Sequence, residues 1–182
     1  MPAAARDRPR SMADGFTASN DDELPGALAL RSALGRFATG VTIVTCRDAA
    51  GERVGLTANS FSALSLSPPL VLWSLRRASP SLAAFEAARH FAVNVLAETQ
   101  VELSRRFASP LPGKFDEGVW SRGQGGAPVL AGSAAVFECE RVATHDGGDH
   151  LLFIGRVLRL GDIAVAPLVF QGGHYRMLGE VL

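Results

Sequence analysis

From Leu28 the apolar positions fall at helical spacing. Leu30, Leu34 and Phe37 recur with Arg31 and Arg36 on other faces, which predicts a helix stopped by Gly40. The period then shortens. Residues 41–46 (VTIVTC) alternate β-branched residues with threonine, as a strand does, and 53–57 returns as its hairpin partner after a turn at 48–51. A continuous apolar run at 70–75, HFAVNVL at 90–96, a long strand at 134–145 and HLLFIGRVLRL at 150–160 follow. Gly155 inside the last of these predicts a bulge or a close backbone approach. A final hairpin pairs 168–171 with 175–178 across Gly172-Gly173. Two more helices are expected. One starts at Ser79-Pro80 and buries Leu82 and Phe85; the other opens on a Thr99–Glu102 capping box and turns Leu103 and Phe107 inward. Residues 108–126, rich in Pro and Gly, read as loop, with Phe115 and Trp120 as aromatics in need of a packing partner.

About seven strands and three short helices result. The strands come as hairpins, so the sheet should be antiparallel and mainly β, and closure into a β-barrel removes its edges. Helices then cover the barrel ends. Residues 1–26 lack periodicity and are expected to form a flexible tail; 27–182 form the domain.

The stretch 56–75 (LTANSFSALSLSPPLVLWSL) organises the rest. Hydroxyl and amide side chains alternate there with single apolar residues, a poor helix but a good polar wall with little bulk. A surface loop is the plain alternative. Strands on both flanks argue that the loop lies near the core and lines a small-molecule site.

Composition narrows the function classes. Lys+Arg and Asp+Glu are both 18, and the formal net charge of zero disfavours nucleic acid as main partner. Lys114 is the only lysine. Cys46 and Cys139 sit in apolar strands and read as buried free thiols. The N-terminus has no apolar core segment of a signal peptide, and no apolar run reaches the ~20 residues of a membrane span, so a cytoplasmic protein with no membrane contact is expected.

Catalytic motifs are few. Gly123-Gln124-Gly125-Gly126 has Pro128 where a Rossmann fingerprint needs its third glycine. No serine sits on a nucleophile elbow, and the four histidines show no metal-ligand spacing, so no metal is expected. Gly148-Asp149-His150 places an imidazole beside a carboxylate at a hairpin mouth, where it either begins a strand or polarises a ligand.

Ordered blocks then identify a resemblance. The residues TGVTIVT (39–45), GLTANSF (55–61), SLSPPL (65–70), FAVNVL (91–96), Lys114-Phe115, Glu138-Cys139 and Gly148-Asp149-His150 resemble, in that order, the flavin reductase-like family. Together they cover nearly everything except the tail. The resemblance implies an FMN-binding split barrel, usually a homodimer. It further implies that NADH or NADPH reduces FMN or FAD, which then leaves by diffusion to supply a separate flavin-dependent monooxygenase. Thr57, Ala58, Asn59 and Ser60 would border the flavin, with Ser65, Leu66 and Ser67 also lining the site and Thr39 and Val41 approaching from the neighbouring strand. The phosphate would meet Arg77 or Arg76 and Ser79 at a helix N-terminus. Asn94, Arg105 or Arg106, and Phe115 are further candidates. His150 would position the nicotinamide and Tyr175 close that side. Two other readings fit the same fold: a split-barrel flavoprotein that retains its flavin and acts on an organic substrate, and a non-enzymatic flavin- or haem-binding module.

Overall fold

The computed structural model describes residues 26–181. The tail expected over 1–26 therefore lies, except for Gly26, outside the described residues. Helix α1 (Ala27–Leu34) is followed by β1 (Thr39–Gly40), β2 (Thr42–Arg47), β3 (Arg53–Ala58), β4 (Ser62–Leu66) and β5 (Pro69–Arg76). Helix α2 (Leu82–Ala87), β6 (His90–Val95) and α3 (Val101–Ala108) come next, then the short strands β7 (Trp120–Arg122) and β8 (Pro128–Leu130). The long hairpin β9 (Ala135–Gly147) and β10 (His150–Asp162) precedes the final pair β11 (Val169–Gln171) and β12 (His174–Arg176).

Seven strands form one antiparallel sheet in the order β3-β2-β6-β9-β10-β5-β4. The sheet rolls into a barrel. Val44 and Cys46 of β2, Phe91 and Val93 of β6, Cys139 of β9, Phe153 of β10 and Trp73 of β5 share one buried cluster, against which Val54 and Leu56 of β3 also pack. The two sides of the seam do not pair as strands. Instead the Ser60 hydroxyl donates to the Ser74 carbonyl and accepts from the Ser74 N–H, both at 3.0 Å, and so pins the end of β3 to β5.

Strands β2 and β6 are buried on both faces, which explains their near-continuous apolar reading. Their inward residues fill the barrel. Their outward neighbours, Val41, Ile43 and Leu96, belong to a second core with Phe107 of α3, Leu130 of β8 and Leu168. Phe115 and Trp120 pack there too, with ring centroids 4.9 and 5.3 Å from that of Phe107. The aromatics of the expected loop thus find their partner, and part of that loop is strand: β7 pairs with β8. At the other side α2 inserts Phe85 into the barrel core, 4.9 Å from Trp73.

Several boundaries differ from the sequence reading. α1 ends at Leu34, and Gly35, not Gly40, follows it, with its N–H bonded to the Arg31 carbonyl. Gly40 lies in β1, paired with Val169. Thr99 does not cap α3; the Gln100 side chain accepts from the Ala97 N–H at 3.0 Å instead. Residues 56–67 are not one loop but two strand segments joined by a short turn at 59–61. β3 runs to Ala58, and the Ser-Ala-Leu-Ser-Leu alternation of β4 pairs with β5.

Gly155 is both a bulge and a close approach. The register shifts between Ile154 and Gly155, and a Cβ there would stand 2.4 Å from Phe91 Cζ and 2.9 Å from Cys139 Cβ. Both neighbours are fully enclosed in the barrel core, so neither can retreat cheaply. Gly155→Ala should therefore cost about 1–3 kcal/mol by overpacking, read as a lowered urea midpoint at unchanged slope. An unchanged midpoint would show that the core has slack at this point.

Candidate functional site

The barrel seam opens into a cleft of about 600 Å³. One wall is the end of β3 with the turn after it, residues 56–60, and the facing wall is the end of β5, residues 74–76. The segment 78–81 and the C-terminal turn of α3 with Ser109 and Pro110 complete it, with Lys114 and His150 on its border. The seam exists because β3 and β5 are held together by one serine side chain and not by a ladder, which leaves backbone and small side chains facing open space.

Hydrogen bonding separates structural hydroxyls from free groups. Ser60 is committed to Ser74, and Thr57 Oγ1 donates to the Ser104 carbonyl at 2.7 Å, fastening β3 to α3. Ser79 Oγ accepts from the Ser81 N–H at 3.3 Å. Asn59 makes no side-chain hydrogen bond to another described residue. Its amide is thus a donor and acceptor pair available to a ligand. Ala58, Ala78 and Ala108 add no bulk to the walls.

Charge on the cleft is positive. Lys114 Nζ donates to the Phe107 carbonyl at 3.2 Å and to the Gly55 carbonyl at 3.5 Å, and partial burial holds its pKa below the usual lysine value. Arg76 ends β5 on the same cleft, paired in register with His150. His150 Nδ1 lies 2.7 Å from Asp149 Oδ1, and that hydrogen bond, followed by the charge interaction with His150, holds the exposed Asp149 carboxyl below the ordinary carboxylate range. With the Asp149 carboxylate accepting a hydrogen bond from Nδ1–H, Nε2 is the ring nitrogen left for other partners. The turn carrying the pair is clamped by Arg77, whose Nε donates to the Gly148 carbonyl at 2.9 Å and whose guanidinium meets Asp146 at 2.8 Å.

The structure thus brings Thr57, Ala58, Asn59, Ser60, Ser79 and His150 to one cleft. It places the other candidates elsewhere. Ser65 and Leu66 lie on β4 and Ser67 follows it, and β4 pairs with residues 69–72 of β5, the opposite end of that strand from the residues 74–76 that wall the cleft; Leu66 is 94% exposed. Val41 is core, and Thr39 borders a second cleft, its buried hydroxyl without a partner among the described residues. Arg77 is occupied with the 146–149 turn. Asn94 is fully buried, donating to the Ile43 carbonyl at 3.0 Å and accepting from the Leu130 N–H at 2.9 Å. Phe115 belongs to the outer core, and Tyr175 shares a 2.9 Å hydrogen bond with Ser104. Arg105 and Arg106 pair with Glu102 and Glu117.

Residues outside the stretch 56–75 that the sequence reading did not place in the site are Ala78, Pro80, Ser81, Phe107, Ala108, Ser109, Pro110 and Lys114. The position of the sole lysine beside Phe115 was the one available signal. Burial pushes both cysteine thiols up to about 12, so Cys46 and Cys139 stay protonated and inert, as their apolar strands suggested. Among the described residues no helix is long and apolar enough to cross a membrane, and no cluster of metal-ligating side chains occurs.

A cleft of this volume, walled by small side chains and backbone with a free amide and two cations, fits a flat, acceptor-edged, phosphorylated ligand such as a flavin. Known proteins with the same fold agree in kind. The chain is 44% identical over 157 residues to a probable flavin reductase of Rhizobium meliloti, covering 85% of this chain and 50% of that protein, so it spans about half the length of this relative. It is 47% identical over 146 residues to the reductase subunit HsaB of a flavin-dependent monooxygenase of Rhodococcus jostii, covering 80% of this chain and 74% of that one. A solved NADH:FAD oxidoreductase of Streptomyces globisporus, in complex with NAD and FAD fragments, superposes with a TM-score of 0.80 at 38% identity, covering 84% of this chain and 92% of that one. The pattern of the flavin reductase like domain matches residues 34–179, and the chain belongs to that family.

Proposed function

We propose that the chain is an NADH-dependent flavin reductase, passing a hydride to FMN or FAD held in the seam cleft and supplying reduced flavin to a separate monooxygenase. The carrying observation is the cleft itself: small, polar, positively charged, and bordered by an imidazole held by a carboxylate. When bound, the flavin supplies the ring that accepts the hydride, and the protein's part is position and charge. Backbone and Asn59 on the β3 side hold the ring edge. Arg76 and Lys114 favour negative charge at the other side of the cleft. Asp149 fixes the imidazole of His150, which orients the nicotinamide for close approach to the flavin.

The domain comprises residues 27–182 and acts in the cytoplasm as a homodimer. Exposed Leu66, Leu158 and Leu160 supply apolar surface for a second copy. Flavin passes to the oxygenase by diffusion, which a cleft open to solvent permits.

The reaction class is tested by following NADH absorbance with and without FMN or FAD. Flavin-dependent oxidation is expected, and its absence with either flavin would overturn the proposal. His150→Ala should raise KM for NADH about tenfold, the worth of one charge-assisted contact, while KM for flavin moves less than about twofold. Equal shifts in both constants would remove His150 from the nicotinamide side.

A further inference from the structure

Arg77 lies one residue beyond the end of β5 and lines neither the seam cleft nor the cleft beside it, whereas its neighbours Arg76 and Ala78 both line the seam. Its contacts go to one place. The backbone N–H donates to the Asp149 carbonyl at 2.9 Å, Nε donates to the Gly148 carbonyl at 2.9 Å, and Nη2 meets Asp146 Oδ1 at 2.8 Å. The same Asp146 oxygen accepts from the Gly148 N–H at 3.2 Å. One residue thus grips the Gly148-Asp149 turn, which closes the β9–β10 hairpin, from the end of the adjoining strand.

That turn is where the imidazole is set. His150 is the first residue of β10 and pairs in register with Gly147 on one side and Arg76 on the other, so it is the last position of β10 that the sheet holds. Its Nδ1 partner, Asp149, stands beyond the ladder with its side chain 88% exposed, so the place of that carboxylate depends on the backbone of the turn. Arg77 ties this backbone to β5. An ion pair as open as Arg77–Asp146, with 44% and 76% of the two side chains exposed, adds little to the stability of the fold. Contacts that converge on one turn restrict its local opening instead.

We propose that Arg77 is a positioning residue for hydride transfer: its guanidinium fixes the 146–149 turn, the turn fixes Asp149, and Asp149 holds the His150 ring in the orientation that meets the nicotinamide. The inference rests on the reading of His150 as the nicotinamide-side residue of the seam cleft. It sets Arg77 apart from a phosphate ligand, which must reach the cleft.

The test uses the full chain with Arg77→Ala, His150→Ala and the double variant, folding being confirmed by circular dichroism. Amide exchange followed by NMR reads the turn without turnover. The Gly148 N–H should exchange about fivefold or more faster in Arg77→Ala than in wild type. Arg77→Ala should raise KM for NADH about fivefold and KM for FMN less than about twofold. In the His150→Ala background the same substitution should move KM for NADH less than about twofold, because no imidazole is left to position. Unchanged Gly148 exchange, unchanged KM for NADH, a rise of the same size in both backgrounds, or a rise for FMN that matches the rise for NADH overturns the proposal. If His150→Ala itself leaves KM for NADH unchanged while Arg77→Ala still frees the turn, the nicotinamide reading of His150 fails and the grip of Arg77 on the turn stands.

Discussion

Trp73→Ala should destabilise the protein by about 3–5 kcal/mol, a large share of the roughly 5–15 kcal/mol that holds a domain folded. Trp73 has no exposed surface, and its ring stacks on Phe153 at 4.7 Å while meeting Phe85 and Phe91 edge-on at 4.9 and 5.9 Å. These partners come from β10, α2 and β6, so the indole ties the barrel wall to the helix that closes it. Deleting it leaves a cavity bounded by rings that cannot collapse together. Trp73→Phe separates size from polarity. The indole N–H is buried with no partner among the described residues, a penalty of about 1–3 kcal/mol that phenylalanine removes while keeping most of the stacking. Its urea midpoint should therefore lie much nearer wild type than that of the alanine variant. Equal losses would mean that the N–H is satisfied in solution.

Asn94→Leu should cost about 1–3 kcal/mol although it keeps the volume, because it strands the buried Leu130 N–H and takes a side-chain donor from the Ile43 carbonyl. One side chain here fastens β8 onto the outer face of the β2–β6 pair. Asn94→Asp gives the sign of the electrostatics. Burial raises the pKa of such a carboxyl, so the variant's stability should increase as pH falls through that raised value, when the protonated acid can donate to Ile43. The measurement is the urea midpoint at pH 7 and pH 5. Under conditions where both variants are folded, KM for flavin should match wild type; a raised KM in both would return Asn94 to the flavin site.

Asn94 also shows where residue type misleads. It stands in a strand block shared with a flavin-binding family, and only the fold shows that its amide is spent on the backbone. Ser60 is a similar case. It lines the cleft, yet its hydroxyl is fully committed to Ser74 and serves the ligand by holding the seam at its width. Arg77 and Arg76 were indistinguishable along the chain; one residue's difference in position sends the first to the 146–149 turn and the second to the cleft.

What the sequence by itself determined follows from local periodicity. The alternation of residues 41–46, the strand-like runs at 53–57 and 150–160 and the turn chemistry between them specify hairpins, and the bulge at Gly155 is written in a glycine inside a strand-like run. The ordered blocks from Thr39 to His150 carried the family. Tertiary structure alone decided which polar groups remain free, because that depends on partners far apart in the chain: Thr57 with Ser104, Ser60 with Ser74, Lys114 with Gly55. It also decided that residues 56–67 divide into a strand end and turn that line the cleft and a strand paired with the opposite end of β5. The side-chain alternation of that stretch is the same in both halves, and only the roll of the sheet, which brings the turn after β3 to Ser74 while β4 pairs with residues 69–72 of β5, distinguishes the wall of a site from an edge.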